Sequence, residues 1–219
     1  MNGRLLLDGR FSAFENMAID ESLLRHARSP VLRIYAWAES CVSLGYFQKH
    51  SVVPPSTPFV RRYTGGGLVE HGRDLTYTVV LPADHPLTAA GTLPSYRTIH
   101  AAVASALLDA GIACRLATTS PKQDHPACFL KPVPADVLDP AGKKLAGAAQ
   151  RRTRQGCLHQ GTVLLPGPIP ESLVEILPQK LSPALGVGWN PSKRTDPEEE
   201  LAQQLLRDRY SSRAWNYSR

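Results

Sequence analysis

The chain has 219 residues, enough for one sizeable core or two small ones, with 42% apolar and 20% charged residues, the balance of an ordinary globular protein. No apolar run approaches the roughly 20 residues that span a bilayer, and the patch in Met1–Asp8 is too short for a signal peptide, so the composition points to the cytoplasm and away from the membrane. Basic residues outnumber acidic ones 25 to 19, a net charge of +6 that suits an acidic protein partner or a solvated basic surface; the absence of interleaved aromatic and basic residues argues against nucleic acid.

Ser12-Ala13-Phe14-Glu15 reads as a capping box, and Phe14, Met17, Ala18 and Leu24 continue it as an amphipathic helix. Val31–Trp37 and Cys41–Phe47 carry the β-branched and aromatic residues of strands. Phe59–Tyr63 is a short strand running into three glycines, and Leu75–Leu81 is another. The spacing of Ile99, Val103 and Leu107 predicts a helix over Ser95–Ala110 that Gly111 stops. Ala113–Ala117 returns as a strand, and residues 118–141 read as a long loop. Lys144–Ala149 and Leu158–Leu165 are strands around a basic turn. Helices follow at Pro170–Leu177 and Asp196–Tyr210, the second opened by Asp196-Pro197 with three glutamates. The irregular alternation gives an α+β fold, a mixed β-sheet with helices packed against it, in a single unit over 1–219 whose residues 166–219 form a C-terminal helical extension.

Two segments carry chemistry. In Arg61-Arg62-Tyr63-Thr64-Gly65-Gly66-Gly67-Leu68-Val69-Glu70-His71, three glycines let backbone approach a ligand closely, and the arginines supply fixed charge for a carboxylate or phosphate. Neither a Walker loop nor a dinucleotide fingerprint is present. A plain hairpin turn explains Gly-Gly-Gly alone; the flanking Arg61, Arg62 and His71 favour a binding loop. In Gly142-Lys143-Lys144-Leu145-Ala146-Gly147-Ala148-Ala149-Gln150, small residues leave room beside a strand, and Lys144 could hold negative charge at a reacting carbonyl or shuttle a proton. The alternative is a solvated turn lysine. His159, about a dozen residues on and across a hairpin, is placed to meet it.

Of the four cysteines, Cys41 and Cys114 sit in apolar strand-like runs and read as small buried hydrophobes; no spacing fits zinc. Cys128 lies in the long loop, where an ammonium such as that of Lys144 would favour its thiolate and make it a nucleophile.

The Arg61–His71 segment resembles the R-R-x-S/T-G-G-G-x-V-x-H loop of lipoate–protein ligases and octanoyltransferases. Gly142–Gln150 resembles that family's G-x-K-I-x-G-S-A-Q strand, Leu158–Leu165 the segment after it, and Asn16–Glu21 its first helix. The resemblance, from about residue 14 to 165, implies a fold like the biotin and lipoate ligase catalytic domain (class II synthetase-like). It implies that Arg62, Tyr63, Thr64, Gly65, Gly66, Gly67, Leu68 and His71 form a substrate loop, with Arg62 and the glycines at the acyl carbonyl or acyl-phosphate end. Gly147, Ala148, Ala149, His159 and Gly161 would line the substrate tunnel, and Lys144 would lie at the reacting carbonyl.

Cys128-Phe129 before Lys144 and Asp74–Val80 after the glycine loop resemble the cysteine-dependent octanoyltransferases. These imply an acyl-Cys128 intermediate, no cofactor, and an acidic acyl carrier protein or a lipoyl-domain protein as partner. Gly67 stands where those transferases often have Arg, and Gln160 stands where the family has His. An ATP- and Mg²⁺-dependent lipoate ligase acting through lipoyl-AMP is the alternative, and a non-catalytic binder of lipoylated proteins a second.

Overall fold

Ser12 closes the first strand, β1 (Asn2–Phe11), and opens the first helix, α1 (Ala13–Arg25). The Ser12 hydroxyl accepts the Glu15 amide and the Glu15 carboxylate accepts the Ser12 amide at 2.9 Å, forming the capping box that the sequence predicts. The computed structural model describes residues 1–118 and 133–219.

The chain continues through β2 (Val31–Trp37), β3 (Cys41–Leu44), β4 (Phe59–Arg61), β5 (Val69–His71) and β6 (Leu75–Pro82) to α2 (Pro86–Ala89) and α3 (Thr92–Asp109). Short β7 (Arg115–Leu116) and β8 (Val137–Leu138) lead to the hairpin of β9 (Lys144–Thr153) and β10 (Gly156–Val163). Then come α4 (Ser172–Leu185), β11 (Gly188–Pro191), α5 (Asp196–Leu205), a π-helical turn at Leu206–Tyr210, and α6 (Arg213–Asn216). The described residues form an eight-stranded mixed sheet, β11-β1-β2-β6-β10-β9-β8-β7, and a three-stranded one, β4-β3-β5. β1 runs parallel to β2 and β11, and β2, β6, β10 and β9 follow antiparallel.

Side chains alternate across each strand of the large sheet, so its two faces bury different sets. Leu32, Val79, Cys157 and Val163 pack with α3 and α4, whereas Val31, Val80 and Leu158 pack with α1 and Ala202 of α5. Burial on both faces explains why β6 is apolar or Thr/Tyr throughout. The α1 face also buries charge. Arg33 reaches Asp20 at 2.8 Å and Asp8 at 2.7 Å, and Glu21 accepts from Arg209 and from the Tyr210 hydroxyl, tying the end of the chain to the first helix. Among the described residues no helix is long and apolar enough to cross a membrane.

Several boundaries differ from the sequence reading. β1 and β11 escape it: β1 has the irregular burial of a strand whose register shifts between Leu7 and Arg10, and β11 is mostly exposed. The helix expected at Pro170–Leu177 runs on to Leu185, with Pro178 and Pro183 inside it, because Leu177, Leu181 and Leu185 keep a buried face. Residues 166–219 supply the edge strand β11 as well as helices. The helix expected to start at Ser95 begins at Thr92, and Asp196–Tyr210 passes from α-helix to π-helical turn at Leu206. β3 ends at Leu44 and β4 at Arg61, each two or three residues short of expectation, the first where the chain turns at Gly45 and the second where it bends into the glycine loop.

Candidate active site

Between the two sheets lies a cavity enclosing about 410 Å³ of empty space, its open mouth included. That is within the ~300–1,000 Å³ usual for small-molecule sites. Its apolar walls come from Met17, Tyr35, Trp37, Val69, Ala148 and Ala149. Ser43, Arg62, His71, Thr76, Gln160 and Thr162 supply polar atoms, and Gly147 and Gly161 line it along β9 and β10.

The glycine loop is shaped from within by Arg62. Nη1 donates to the Ser43 carbonyl (2.6 Å) and hydroxyl (2.7 Å), and Nη2 to the carbonyls of Gly65 (2.8 Å) and Gly67 (2.9 Å). Gly66 sits at φ +86°, a left-handed conformation that glycine adopts readily. Its carbonyl passes so close to Gly45 that Gly45 has no room for a side chain. The four Nη hydrogens of Arg62 are matched by these four protein oxygens, so the guanidinium braces the loop at the cavity that it lines. Arg61, unlike Arg62, does not line the cavity. Its buried side chain donates to the carbonyls of Gly45, Tyr46, Gln48, Trp215 and Asn216.

His71 stacks on Trp37 with 3.9 Å between ring centroids and is fixed at both nitrogens. Nδ1 lies 2.8 Å from Asp74 Oδ2 and Nε2 lies 2.6 Å from Ser43 Oγ. Ser43 Oγ accepts from Arg62, so its own proton is directed at Nε2; His71 therefore carries its proton on Nδ1 and donates it to Asp74. Burial pushes the His71 pKa down, partly opposed by Asp74 and reinforced by the Arg62 charge, so the imidazole is neutral near pH 7. Burial alone would raise the Asp74 carboxyl; hydrogen bonds from His71, Thr162 and Thr76 outweigh it and bring the pKa down to about 2.

A second buried carboxylate, Asp20, accepts from Arg33, the Tyr35 hydroxyl (3.0 Å), Thr78 Oγ1 (2.7 Å) and Gln160 Nε2 (2.7 Å). Gln160 Oε1 in turn accepts from Thr64 Oγ1 at 2.7 Å, which pins the glycine loop to α1 through β10.

Lys144 is 2% exposed and pairs with Asp136 at 2.7 Å. Asp136 also accepts from the Tyr96 hydroxyl (2.5 Å) and the Val133 amide (2.7 Å), so it is fixed before the lysine meets it. A Cβ on Gly147 would fall inside Lys144 Cε and Nζ; the missing side chain is the space that the ammonium occupies, beside the cavity wall. This is not a solvated turn lysine.

Among the expected site residues, His71, Arg62, Gly147, Ala148, Ala149 and Gly161 line the cavity, and Thr64 is buried behind it. Gly65, Gly66, Gly67 and Leu68 form the loop at its edge. Tyr63 points elsewhere, under the guanidinium groups of Arg151 and Arg209. His159 also departs from expectation. One strand position before Gln160, it faces α3, where Gln150 Nε2 (3.1 Å) and the Tyr77 hydroxyl (3.4 Å) meet its ring nitrogens rather than Lys144. Cys128 lies outside the described residues. Cys41, Cys114 and Cys157 are buried or half-buried; burial raises all three thiol pKa values, that of Cys41 to about 12, which leaves them unreactive. Ser43 and Asp136 carry no sequence signal, and Asp74 and Gln160 stand out in the sequence only through the family segments they belong to. They are ordinary polar residues until folding sets them beside His71, Lys144 and Asp20.

The chain is 30% identical to an octanoyltransferase LipM from Kyrpidia tusciae over 98% of each protein. It is 37% identical to one from Moorella thermoacetica over 74% of this chain, a match that takes in 64% of that relative, less than two thirds of its length. Among solved structures, a lipoate-protein ligase A bound with ATP superposes with a TM-score of 0.81 at 24% identity over 99% of both chains. Protein Ta0514 of T. acidophilum, solved with bound lipoic acid, gives 0.80 at 25% identity over the whole of both. The family model described as the lipoyl protein ligase A/B catalytic domain matches residues 12–205, and the chain belongs to that family.

Proposed function

We propose that this chain is an acyltransferase of protein lipoylation, moving an octanoyl or lipoyl group onto a lysine of a lipoyl carrier domain through a thioester on Cys128. The observation that carries the reading is Lys144, buried against Gly147 of the wall of a largely apolar cavity and oriented by Asp136 through a 2.7 Å ion pair. An ammonium fixed there balances the negative charge that develops on an acyl oxygen during transfer, and needs no reorganisation to do so. The same charge would favour the thiolate of a cysteine brought beside it. The cavity's apolar walls suit an aliphatic chain, and the octanoyltransferase relatives support this substrate class.

The transferase needs no cofactor; the donor is the octanoyl thioester of an acyl carrier protein. The basic chain, with a net charge of +6, suits an acidic carrier. Gly67, where such transferases often carry Arg, favours a second reading as a lipoate ligase that uses ATP and Mg²⁺.

Intact mass spectrometry of the whole chain mixed with octanoyl-acyl carrier protein, without ATP, separates the two. The transferase gains one octanoyl group, which Cys128→Ala loses. A chain that stays unmodified but forms lipoyl-adenylate from lipoate, ATP and Mg²⁺ is a ligase. One that does neither and still binds a lipoylated domain is a binder.

A further inference from the structure

Transfer to a lysine poses a proton problem that Lys144 and Asp136 do not solve. The acceptor amine has an ordinary pKa near 10.4 and must attack as the neutral form. On attack its nitrogen becomes positively charged, and the extra proton has to leave before the amide can form. Asp136 is engaged by Lys144, Tyr96 and the Val133 amide. Among the described residues that line the cavity, His71 alone carries a basic lone pair of this kind, and that lone pair is directed at Ser43 Oγ, 2.6 Å away.

We infer that Ser43, His71 and Asp74 form the proton relay that deprotonates the attacking amine. This assignment rests on the transferase reading. The neutral amine attacks the acyl carbon of the thioester and a C–N bond forms. The excess proton on nitrogen passes to Ser43 Oγ while the Ser43 proton passes to His71 Nε2. The resulting imidazolium is paired with Asp74 through Nδ1–H. The adduct then collapses: the C–S bond breaks, its electron pair leaves on the thiolate, and the amide is released. His71 finally gives the proton to solvent.

Three features fit the relay beyond its distances. Arg62 donates to Ser43 Oγ, which orients the hydroxyl proton toward His71 and lowers the cost of negative charge on that oxygen. Asp74 is held ionised by Thr76 at 2.6 Å and by Thr162, so it can support an imidazolium. Trp37 holds the imidazole plane in register. Arg62 also grips the Ser43 carbonyl at 2.6 Å and the carbonyls of Gly65 and Gly67, so the glycine loop keeps its brace when the Ser43 hydroxyl is removed.

That last feature supplies the test. Ser43→Ala and His71→Gln are compared with the unmodified chain in two half-reactions followed by intact mass: octanoyl uptake from octanoyl-acyl carrier protein, then discharge to a lipoyl domain. The relay predicts uptake within about threefold of normal and discharge slowed by about 10²-fold, the lower end of what a positioned base contributes. It also predicts that hydroxylamine, whose nitrogen after attack is far more acidic than that of an alkylamine and gives its proton to water unaided, discharges the variants with a much smaller deficit. Uptake and discharge falling in parallel, or discharge unchanged, overturns the relay and leaves the three residues as a brace for the loop. Should His71→Gln fail to fold, Ser43→Ala decides alone. If the unmodified chain takes up no octanoyl group, the transferase reading fails and the relay falls with it; that outcome is visible without any variant.

Discussion

Gly147→Ala tests the heart of the site with one methyl group. The new Cβ lands on Lys144 Cε and Nζ, with Asp136 Oδ1 at 3.3 Å beyond. The far end of a lysine is flexible, so the clash is relieved by expelling the ammonium rather than by bending β9. What is lost is an ion pair whose side chains are 1% and 0% exposed. Breaking a buried pair by deleting one partner costs about 3–5 kcal/mol. Here Asp136 keeps the Tyr96 hydroxyl and the Val133 amide, so the expected loss is about 1–3 kcal/mol, also the range for overpacking by one methyl group. Octanoyl transfer should fall by about 10²–10³-fold, as when one charge-stabilising donor is removed from an active site. Urea unfolding followed by circular dichroism reads the first effect, provided the slope is unchanged, and mass-resolved transfer to a lipoyl domain reads the second. Gly167→Ala, where nothing lies within 4 Å, is the matched control and should alter neither. If Gly147→Ala stays within about 0.5 kcal/mol of the parent, the usual scatter of a neutral surface change, and keeps its transfer rate, the account of Lys144 is wrong.

Two further predictions concern the buried polar groups. Asp20→Ala leaves the fully buried Arg33 without its 2.8 Å partner and frees Gln160 and Thr78, and should lower stability by about 3–5 kcal/mol; a loss under about 1 kcal/mol in urea titration would mean that Asp8 suffices for Arg33. His100 donates through Nδ1 to the Ala135 carbonyl at 2.8 Å; burial, with a smaller contribution from the Lys144 charge, lowers its pKa to about 3. Between that value and the ordinary 6.5 the unfolded chain binds a proton that the folded chain does not, so stability is full above pH 6.5 and falls as pH drops toward 3. His100→Gln should flatten that part of the curve of urea midpoint against pH; an unchanged slope would place the effect on His71 or His159, whose pKa values are also lowered by burial.

The sequence by itself determined the elements whose signals are local. The capping box at Ser12, the helix through Ile99, Val103 and Leu107, and the strands at Val31–Trp37 and Leu75–Leu81 follow from spacing and side-chain shape, which act over a few residues. It also marked the glycine loop and the Lys144 strand, because glycines and a lysine among small residues are costly without a purpose. What only the tertiary structure decided is pairing across the chain. Asp136 with Lys144, Ser43 with His71, and Gln160 with Asp20 are separated by 8, 28 and 140 positions, and no periodicity links them. The exchange of roles between His159 and Gln160 has the same origin. Adjacent strand residues face opposite sides of a sheet, so one position decides whether a side chain enters the cavity or the α3 core. Likewise Arg61 and Arg62 read alike in the sequence. The fold assigns one to backbone carbonyls around Gly45 and the other to the glycine loop, because each buried guanidinium goes where unpaired oxygens are already fixed.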